Sequence, residues 1–407
     1  MKVLLFSLIA CLLLSPAGSS AETSPSTEAD RSAVVDENNA FAVALYGKLR
    51  NQNGNLFFSP ESVSTALAMT YAGARGDTAA EMAKTLHFTL PPERLHPALG
   101  ALLGDLNAAH QGYQLHIANA LWAQQDYRIL DDFLRLNKAD YGAGFNRVDF
   151  KSAPEAARLT INRWVERKTE DKIKNLIQQG VLDSSTRLVL TDTIYLKSNW
   201  QTQFEKRETE DGDFNVSPIR NVTAAMMHRT DGFNYFKGDA FRALEIPYKN
   251  LETSLIIFLP DKLDGLSDLE RSLTAPNLRR WLEQLRTVPK VMLAMPRFTV
   301  TEEFELKGTL DEMGMTEAFD RELADFSGIT RSRKLFLSAM IHKTFIDVDE
   351  EGTEASAASA FGVMGAIFAA REEPPIPFTV DHPFVFLIRD NRSGSILFMG
   401  RMTDPTK

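Results

Sequence analysis

The segment from Asp349 to Ala360 constrains the fold most, because a β-sheet could take it up as an additional strand. It reads Asp-Glu-Glu-Gly-Thr-Glu-Ala-Ser-Ala-Ala-Ser-Ala and contains no proline that would remove a ladder hydrogen bond. Its small side chains bury little apolar area and therefore anchor it weakly, while Gly352 gives its backbone wide freedom. These properties predict a mobile strand. A surface helix or a linker also fits the composition, and the pattern alone leaves all three open.

The rest of the chain indicates one large domain over residues 36–407. The 407 residues, 44% of them hydrophobic, suffice for a large core, and no Gly/Ser/Pro linker or internal repeat divides them. The formal net charge of -9 argues against nucleic acid as a partner, because phosphate binding needs clustered positive charge. We expect a monomer without cofactor, metal or transmembrane segment.

The N-terminus predicts export. Residues 1–21 combine Lys2, an apolar run from Val3 to Leu14 and small residues before the expected cleavage site, as in a signal peptide. We therefore expect a secreted protein, extracellular or, in a bacterium, periplasmic. A lipid anchor at Cys11, the only cysteine, is the lesser alternative. Residues 22–35 are polar and predicted to form a disordered leader.

Helical and strand-like patterns alternate irregularly, which predicts an α+β fold rather than repeating βαβ units. Helical spacing predicts helices from Asn38 to Leu49 and from Thr301 to Met313, and strand-like patterns predict a long, largely buried strand over 188–200 and another over 336–348. Ser59 followed by proline is typical of a helix N-terminus.

Several motifs in order along the chain resemble those of the serpins, the serine protease inhibitor family. The resemblance covers about Asn38 to Pro405. It includes the hinge-like segment described above and Asn55 to Ser62, Asn119-Ala120-Leu121-Trp122, Ile161 to Val165, Ile194 to Lys197 with Trp200, Met295 to Phe298, Asp381 to Arg389 and Phe398 to Arg401.

This resemblance implies a serpin fold of three β-sheets, about nine helices and an exposed reactive-centre loop near residues 350–375. It also implies a suicide inhibitor: a serine protease is acylated by the loop, which then inserts into the main sheet and traps the covalent complex. The hinge would comprise Glu350, Gly352, Thr353, Glu354, Ala355, Ser356, Ala357, Ala358, Ser359 and Ala360. By the period of two in a strand, Thr353, Ala355, Ala357 and Ser359 would face inward, while Glu354, Ser356 and Ala358 would face outward.

The resemblance further implies a hydrogen-bonded group, the shutter, where the sheet opens. Its members would be Ser59, Ser62, Asp192 and His342, with Asp192 at a place where the family usually has asparagine. We expect Asp192 to pair with His342 and to make opening sensitive to pH. Without the resemblance, Ser59 is a helix cap and His342 a core residue.

At the end of the sheet where insertion begins, called the breach in the family, the resemblance places Trp200, which plain core packing would also explain. Nearby, Glu350 would form a salt bridge with a lysine.

The reactive bond predicted from the family's spacing is Ala366-Ile367, which suits elastase-like proteases because their specificity pocket is shallow. Bonds after Phe368 and Arg371 are alternatives that suit chymotrypsin-like and trypsin-like enzymes.

Two other classes of function compete with inhibition. A serpin that has become a binder, carrier or chaperone tends to carry charged or bulky hinge residues, which this hinge does not have. An enzyme is disfavoured, because the usual nucleophile and phosphate motifs are missing from the sequence and its seven histidines show no metal-ligand spacing.

Overall fold

The structure, a computed structural model, describes residues 26–108, 113–117, 119–142, 144–353 and 374–407. These residues contain nine α-helices: α1 (Glu28–Leu49), α2 (Pro60–Tyr71), α3 (Gly76–Thr85), α4 (Pro92–Asn107), α5 (Asp131–Tyr141), α6 (Pro154–Lys168), α7 (Leu266–Ser272), α8 (Ala275–Glu283) and α9 (Lys307–Glu312). The helices in these ranges are too short or too polar to cross a bilayer.

The strands alternate irregularly with the helices, which confirms the α+β prediction. They are β1 (Leu56–Phe58), β2 (Tyr113–Ile117), β3 (Ala120–Gln124), β4 (Phe145–Val148), β5 (Leu188–Asn199), β6 (Glu210–Ser217), β7 (Arg220–Lys237), β8 (Phe241–Pro247), β9 (Thr253–Pro260), β10 (Arg286–Pro296), β11 (Phe298–Glu305), β12 (Leu337–Val348), β13 (Gly352–Thr353), β14 (Ile376–Thr379), β15 (Phe384–Asp390) and β16 (Ile396–Met402).

Helix α1 begins inside the segment predicted to be a disordered leader, so that prediction is wrong for residues 28–35. The Thr27 hydroxyl accepts a hydrogen bond from the Asp30 N–H at 3.1 Å, and the Asp30 carboxylate accepts one from the Thr27 N–H at 3.2 Å. This reciprocal capping box starts the helix. Val34 and Val35 are buried and fix it to the core. The polar composition of this segment indicated neither the capping box nor the burial of the two valines.

The described strands pair as two hydrogen-bonded networks. The larger has nine strands in the order β1-β16-β15-β9-β8-β7-β10-β14, with β6 attached to β7. Strand β7 is 18 residues long and pairs in successive parts with β6, β10 and β8. Because β7 pairs with all three, the described strands form two networks where the resemblance implies three sheets.

The second network has the order β11-β12-β13-β5-β3-β4, with β2 also paired to β5. Successive side chains of β5 point to opposite faces, as in any strand. Leu188 and Leu190 belong to the main core, in which helix α2 lies, whereas Val189 belongs to the smaller cluster under helix α6. Asp192 has the parity of Leu190 and therefore faces α2.

Candidate functional site

Strands β5 and β12 separate at one end, and the hinge residues Gly352 and Thr353 lie between them. The two strands pair in parallel over eight residue pairs, the last being Tyr195 with Phe345. Beyond this point Gly352 and Thr353 form β13, which is antiparallel to both neighbours. We call this arrangement the fork. It is the start of a strand that could continue between β5 and β12.

Gly352 can stand at the fork because it has no side chain. A Cβ atom added there would lie 2.1 Å from the carbonyl oxygen of Ser198 and 2.6 Å from the Cα of Asn199. Both are backbone atoms of β5 that cannot move aside cheaply. The close approach of the hinge to β5 therefore requires glycine at this position.

Two aromatic residues, Trp200 and Tyr248, bind the hinge at the fork through hydrogen bonds. The ring of Trp200 stacks on that of Tyr248, with centroids 4.5 Å apart and planes within 6°. The indole Nε1–H of Trp200 donates to the carbonyl oxygen of Asp349 at 2.8 Å. The hydroxyls of Tyr248 and Thr353 lie 2.6 Å apart, and both side chains are fully buried. Burial raises the pKa of Tyr248, so its hydroxyl stays neutral.

Tyr248 did not emerge from the sequence, because its contact with Thr353 joins residues 105 positions apart. Locally, the sequence shows only that Tyr248 follows the proline at the end of β8, and this does not indicate a contact with the hinge.

Replacing Tyr248 with phenylalanine should keep the stacking on Trp200 but leave the Thr353 hydroxyl without its partner. A net loss of about 1–2 kcal/mol follows from one buried hydrogen bond of this kind. Thermal unfolding of the intact protein, with Tyr71→Phe as the control because Tyr71 packs on Phe88 away from the fork, measures it. Equal melting temperatures for both variants and the wild type would show that the hydroxyl contact does not hold the hinge.

The predicted salt bridge from Glu350 to a lysine is wrong. Glu350 is 3% exposed and accepts a hydrogen bond from the Thr209 hydroxyl at 2.7 Å. It pairs with Arg297 instead, whose Nε lies 3.7 Å from its Oε2. The nearby lysine, Lys206, pairs with Glu351 instead. The turn into β13 directs Glu350 inward and Glu351 toward solvent, where a flexible lysine can follow it.

The four predicted shutter residues lie together beneath the parallel strands and form a closed ring of contacts. The backbone N–H of Ser59 donates to Nε2 of His342 at 3.0 Å. Nδ1 of His342 lies 3.0 Å from Oδ2 of Asp192, and Oδ1 of Asp192 accepts a hydrogen bond from the Ser62 hydroxyl. The Ser62 N–H donates to the Ser59 hydroxyl oxygen at 3.2 Å, which closes the ring. All four residues are fully buried.

The ring fixes the tautomer of His342. Because Nε2 accepts from the Ser59 N–H, the ring proton of neutral His342 resides on Nδ1 and faces Asp192. Although Nδ1 of His342 and Oδ2 of Asp192 are only 3.0 Å apart, their angles do not meet those of a hydrogen bond. We therefore regard this approach as a close polar contact, the weakest link in the ring.

The ring couples the two parallel strands to one turn of helix α2. Asp192 lies on β5, and His342 is its directly paired neighbour on β12. Ser59 and Ser62 belong to the N-terminal turn of α2, where Ser59 is the cap. Asn119 extends the group, because its amide donates to the Ser62 carbonyl at 3.1 Å. A group so placed responds when β5 and β12 separate.

The remaining predicted residues lie outside the described part of the chain. These are the hinge residues Glu354 to Ala360 and the candidate reactive-bond residues Ala366, Ile367, Phe368 and Arg371. Their assignment stays a prediction.

These observations define a class of protein: an α+β fold whose central sheet carries a fork for one more strand. A family model described as Serpin (serine protease inhibitor) matches residues 36–405. The leukocyte elastase inhibitor of Equus caballus is 41% identical over 377 residues, which cover 90% of this chain and 98% of that protein. The Homo sapiens protein of the same name is 40% identical, with the same coverage.

A solved structure of uncleaved ovalbumin superposes with a TM-score of 0.84 at 28% identity, covering 91% of this chain and all of that one. The chain belongs to the serpin family, as the sequence motifs predicted. It is a protease inhibitor rather than an enzyme.

Proposed function

We propose that this protein is a secreted suicide-substrate inhibitor of serine proteases, with elastase-like or chymotrypsin-like enzymes as targets. The fork is the single observation that carries the proposal. A hinge that has already begun an antiparallel strand between β5 and β12 needs only to continue along the same path.

The proposed reaction starts as ordinary proteolysis. The protease serine attacks the carbonyl carbon of Ala366, the peptide bond to Ile367 breaks, and the new amine leaves with the proton supplied by the protease histidine. An acyl ester then joins the two proteins. Insertion of the cleaved loop carries the attached protease along the sheet, where its catalytic site is distorted and water no longer hydrolyses the ester.

The pairing of the sheet supplies the driving force. Before insertion, β5 and β12 share one parallel ladder of eight residue pairs. Afterwards each would pair with an antiparallel strand, a slightly more stable arrangement per residue. Roughly ten additional ladder hydrogen bonds at about 0.5–1.5 kcal/mol each would equal the whole stability of a typical domain.

Two further observations support the target and the location. The names of the relatives reported above refer to leukocyte elastase, and alanine before the predicted bond fits a shallow specificity pocket. The predicted signal peptide over residues 1–21 supports secretion.

Incubation with elastase tests the proposal. We expect a complex that survives boiling in detergent and a released C-terminal peptide whose mass places its first residue at Ile367. Elastase with a blocked serine should give no such complex. Complete cleavage without a complex would instead favour a binder, carrier or chaperone. A peptide beginning after Phe368 or Arg371 would move the reactive bond.

A further inference from the structure

Glu61 is a buried acidic residue in the first turn of helix α2, next to the shutter ring. It is the second residue of helix α2 and is 3% exposed. Its Oε1 accepts a hydrogen bond from the Thr65 hydroxyl at 3.1 Å, whereas its Oε2 has no hydrogen-bond partner among the described residues. A buried carboxylate with an unsatisfied oxygen is unfavourable when ionised.

Glu61 lies between Ser59 and Ser62, the two residues that bind the shutter ring to α2. Inserting a strand would move β5 and β12 apart by about one more strand spacing, roughly 4.8 Å. The contact between His342 and Asp192 must then break. Because Ser59 and Ser62 belong to one helical turn, a bond from that turn to β5 or to β12 must break as well.

The charges around Glu61 favour a break on the β5 side. Burial first, and then the charge of Asp192 on β5, raise the pKa of Glu61 to about 7. His342, on β12, lies against Asp192, with Nδ1 and Oδ2 3.0 Å apart. Of the described elements that pack most extensively on α2, which are α1, α3, α5, β5 and β16, only β5 carries a charged group, Asp192, that shifts the pKa of Glu61. An ionised Glu61 therefore meets Asp192 without a compensating cation.

We propose that Glu61 is a positioning residue for loop insertion, which acts through Asp192. When Glu61 is ionised, the two carboxylates repel each other, the link between Ser62 and Asp192 weakens, and β5 separates from α2 more readily. When Glu61 is protonated, the ring stays closed. Insertion should accordingly become faster as the pH rises through neutrality. This inference rests on the proposed function, because it needs a sheet that admits a strand.

The test uses a synthetic peptide with the sequence of residues 353–364 and the intact protein, so that no protease activity enters the pH profile. Its incorporation is followed by native electrophoresis and by tryptophan fluorescence from pH 5.5 to 8.5. We expect the wild-type rate to rise about tenfold, the factor for a difference of one pK unit between closed and open states. Glu61→Gln should remove the dependence and keep the slow rate.

Glu302→Gln is the matched control. Glu302 lies on β11 of the same sheet, burial raises its pKa to about 6, and it is not part of the ring. This variant should keep the wild-type profile. Asp192→Asn, which removes the repulsion from the other side, should flatten the profile as Glu61→Gln does and serves if the latter does not fold.

The outcomes separate the two proposals. A tenfold rise that persists in Glu61→Gln would overturn the role of Glu61, as would one that persists in Asp192→Asn if Glu61→Gln does not fold. So would a flat wild-type profile in a protein that gains thermal stability on loop cleavage, although the inhibitor mechanism would then stand. No peptide incorporation at any pH, together with no gain on cleavage, would overturn the proposed function and this inference together.

Discussion

Replacing Thr353 with arginine should turn the proposed inhibitor of elastase into a substrate of that protease. Thr353 is 1% exposed and lies between β5 and β12, with its hydroxyl against that of Tyr248. An arginine there must either carry an unpaired charge into the sheet, which costs several kcal/mol, or hold the hinge out of the fork. Each 1.36 kcal/mol added to a barrier slows a step tenfold. Insertion should therefore slow at least about 100-fold. Hydrolysis of the acyl ester should then be faster than insertion and release the protease.

The ratio of detergent-stable complex to cleaved inhibitor measures this competition. Thr353→Ser keeps a small side chain and a hydroxyl, and should still form the complex. Ser356→Arg adds the same charge at a position that strand alternation assigns to the outward face, so it should inhibit nearly as well as the wild type. Equal yields of complex from Thr353→Arg and Ser356→Arg would refute the entry of this face into the sheet.

The sequence predicted the two long strands of the fork well, because each is rich in apolar and β-branched residues and contains no glycine or proline. Strands β5 and β12 end within a residue or two of the predicted bounds. The predicted helix from Thr301 to Met313 is largely wrong, since β11 continues to Glu305 and α9 covers only Lys307–Glu312. Its apolar residues fit both periods, and pairing with β12, a contact distant in sequence, decides for the strand.

The candidate site was predictable where family motifs mark it and not where single contacts across the fold create it. Ser59, Ser62, Asp192 and His342 all come together as the motifs implied. Glu61 could not be predicted from the sequence, because an acidic residue in the first turn of a helix interacts favourably with the helix dipole and is usually exposed. Its burial under β5 depends on how α2 packs against the sheet, and local sequence does not encode this.

Cleavage of the loop should raise the melting temperature by about 5–30 °C. Completing β13 between β5 and β12 would add roughly ten ladder hydrogen bonds, or about 5–15 kcal/mol at 0.5–1.5 kcal/mol each. In a domain of this size, 1 kcal/mol corresponds to about 1–2 °C, somewhat less than in smaller domains. The gain should exceed that of any single substitution, because the whole sheet changes its pairing. The cleaved Thr353→Arg variant should gain less, since its hinge enters the sheet poorly.

The central claim is that the intact fold is less stable than a rearranged form of itself. Thermal unfolding of one preparation, before and after a single cut in the loop, tests it most directly. We predict a transition that moves upward by at least about 5 °C after the cut. An unchanged or lower melting temperature in the cut protein would contradict the claim, because no additional strand would then have entered the sheet.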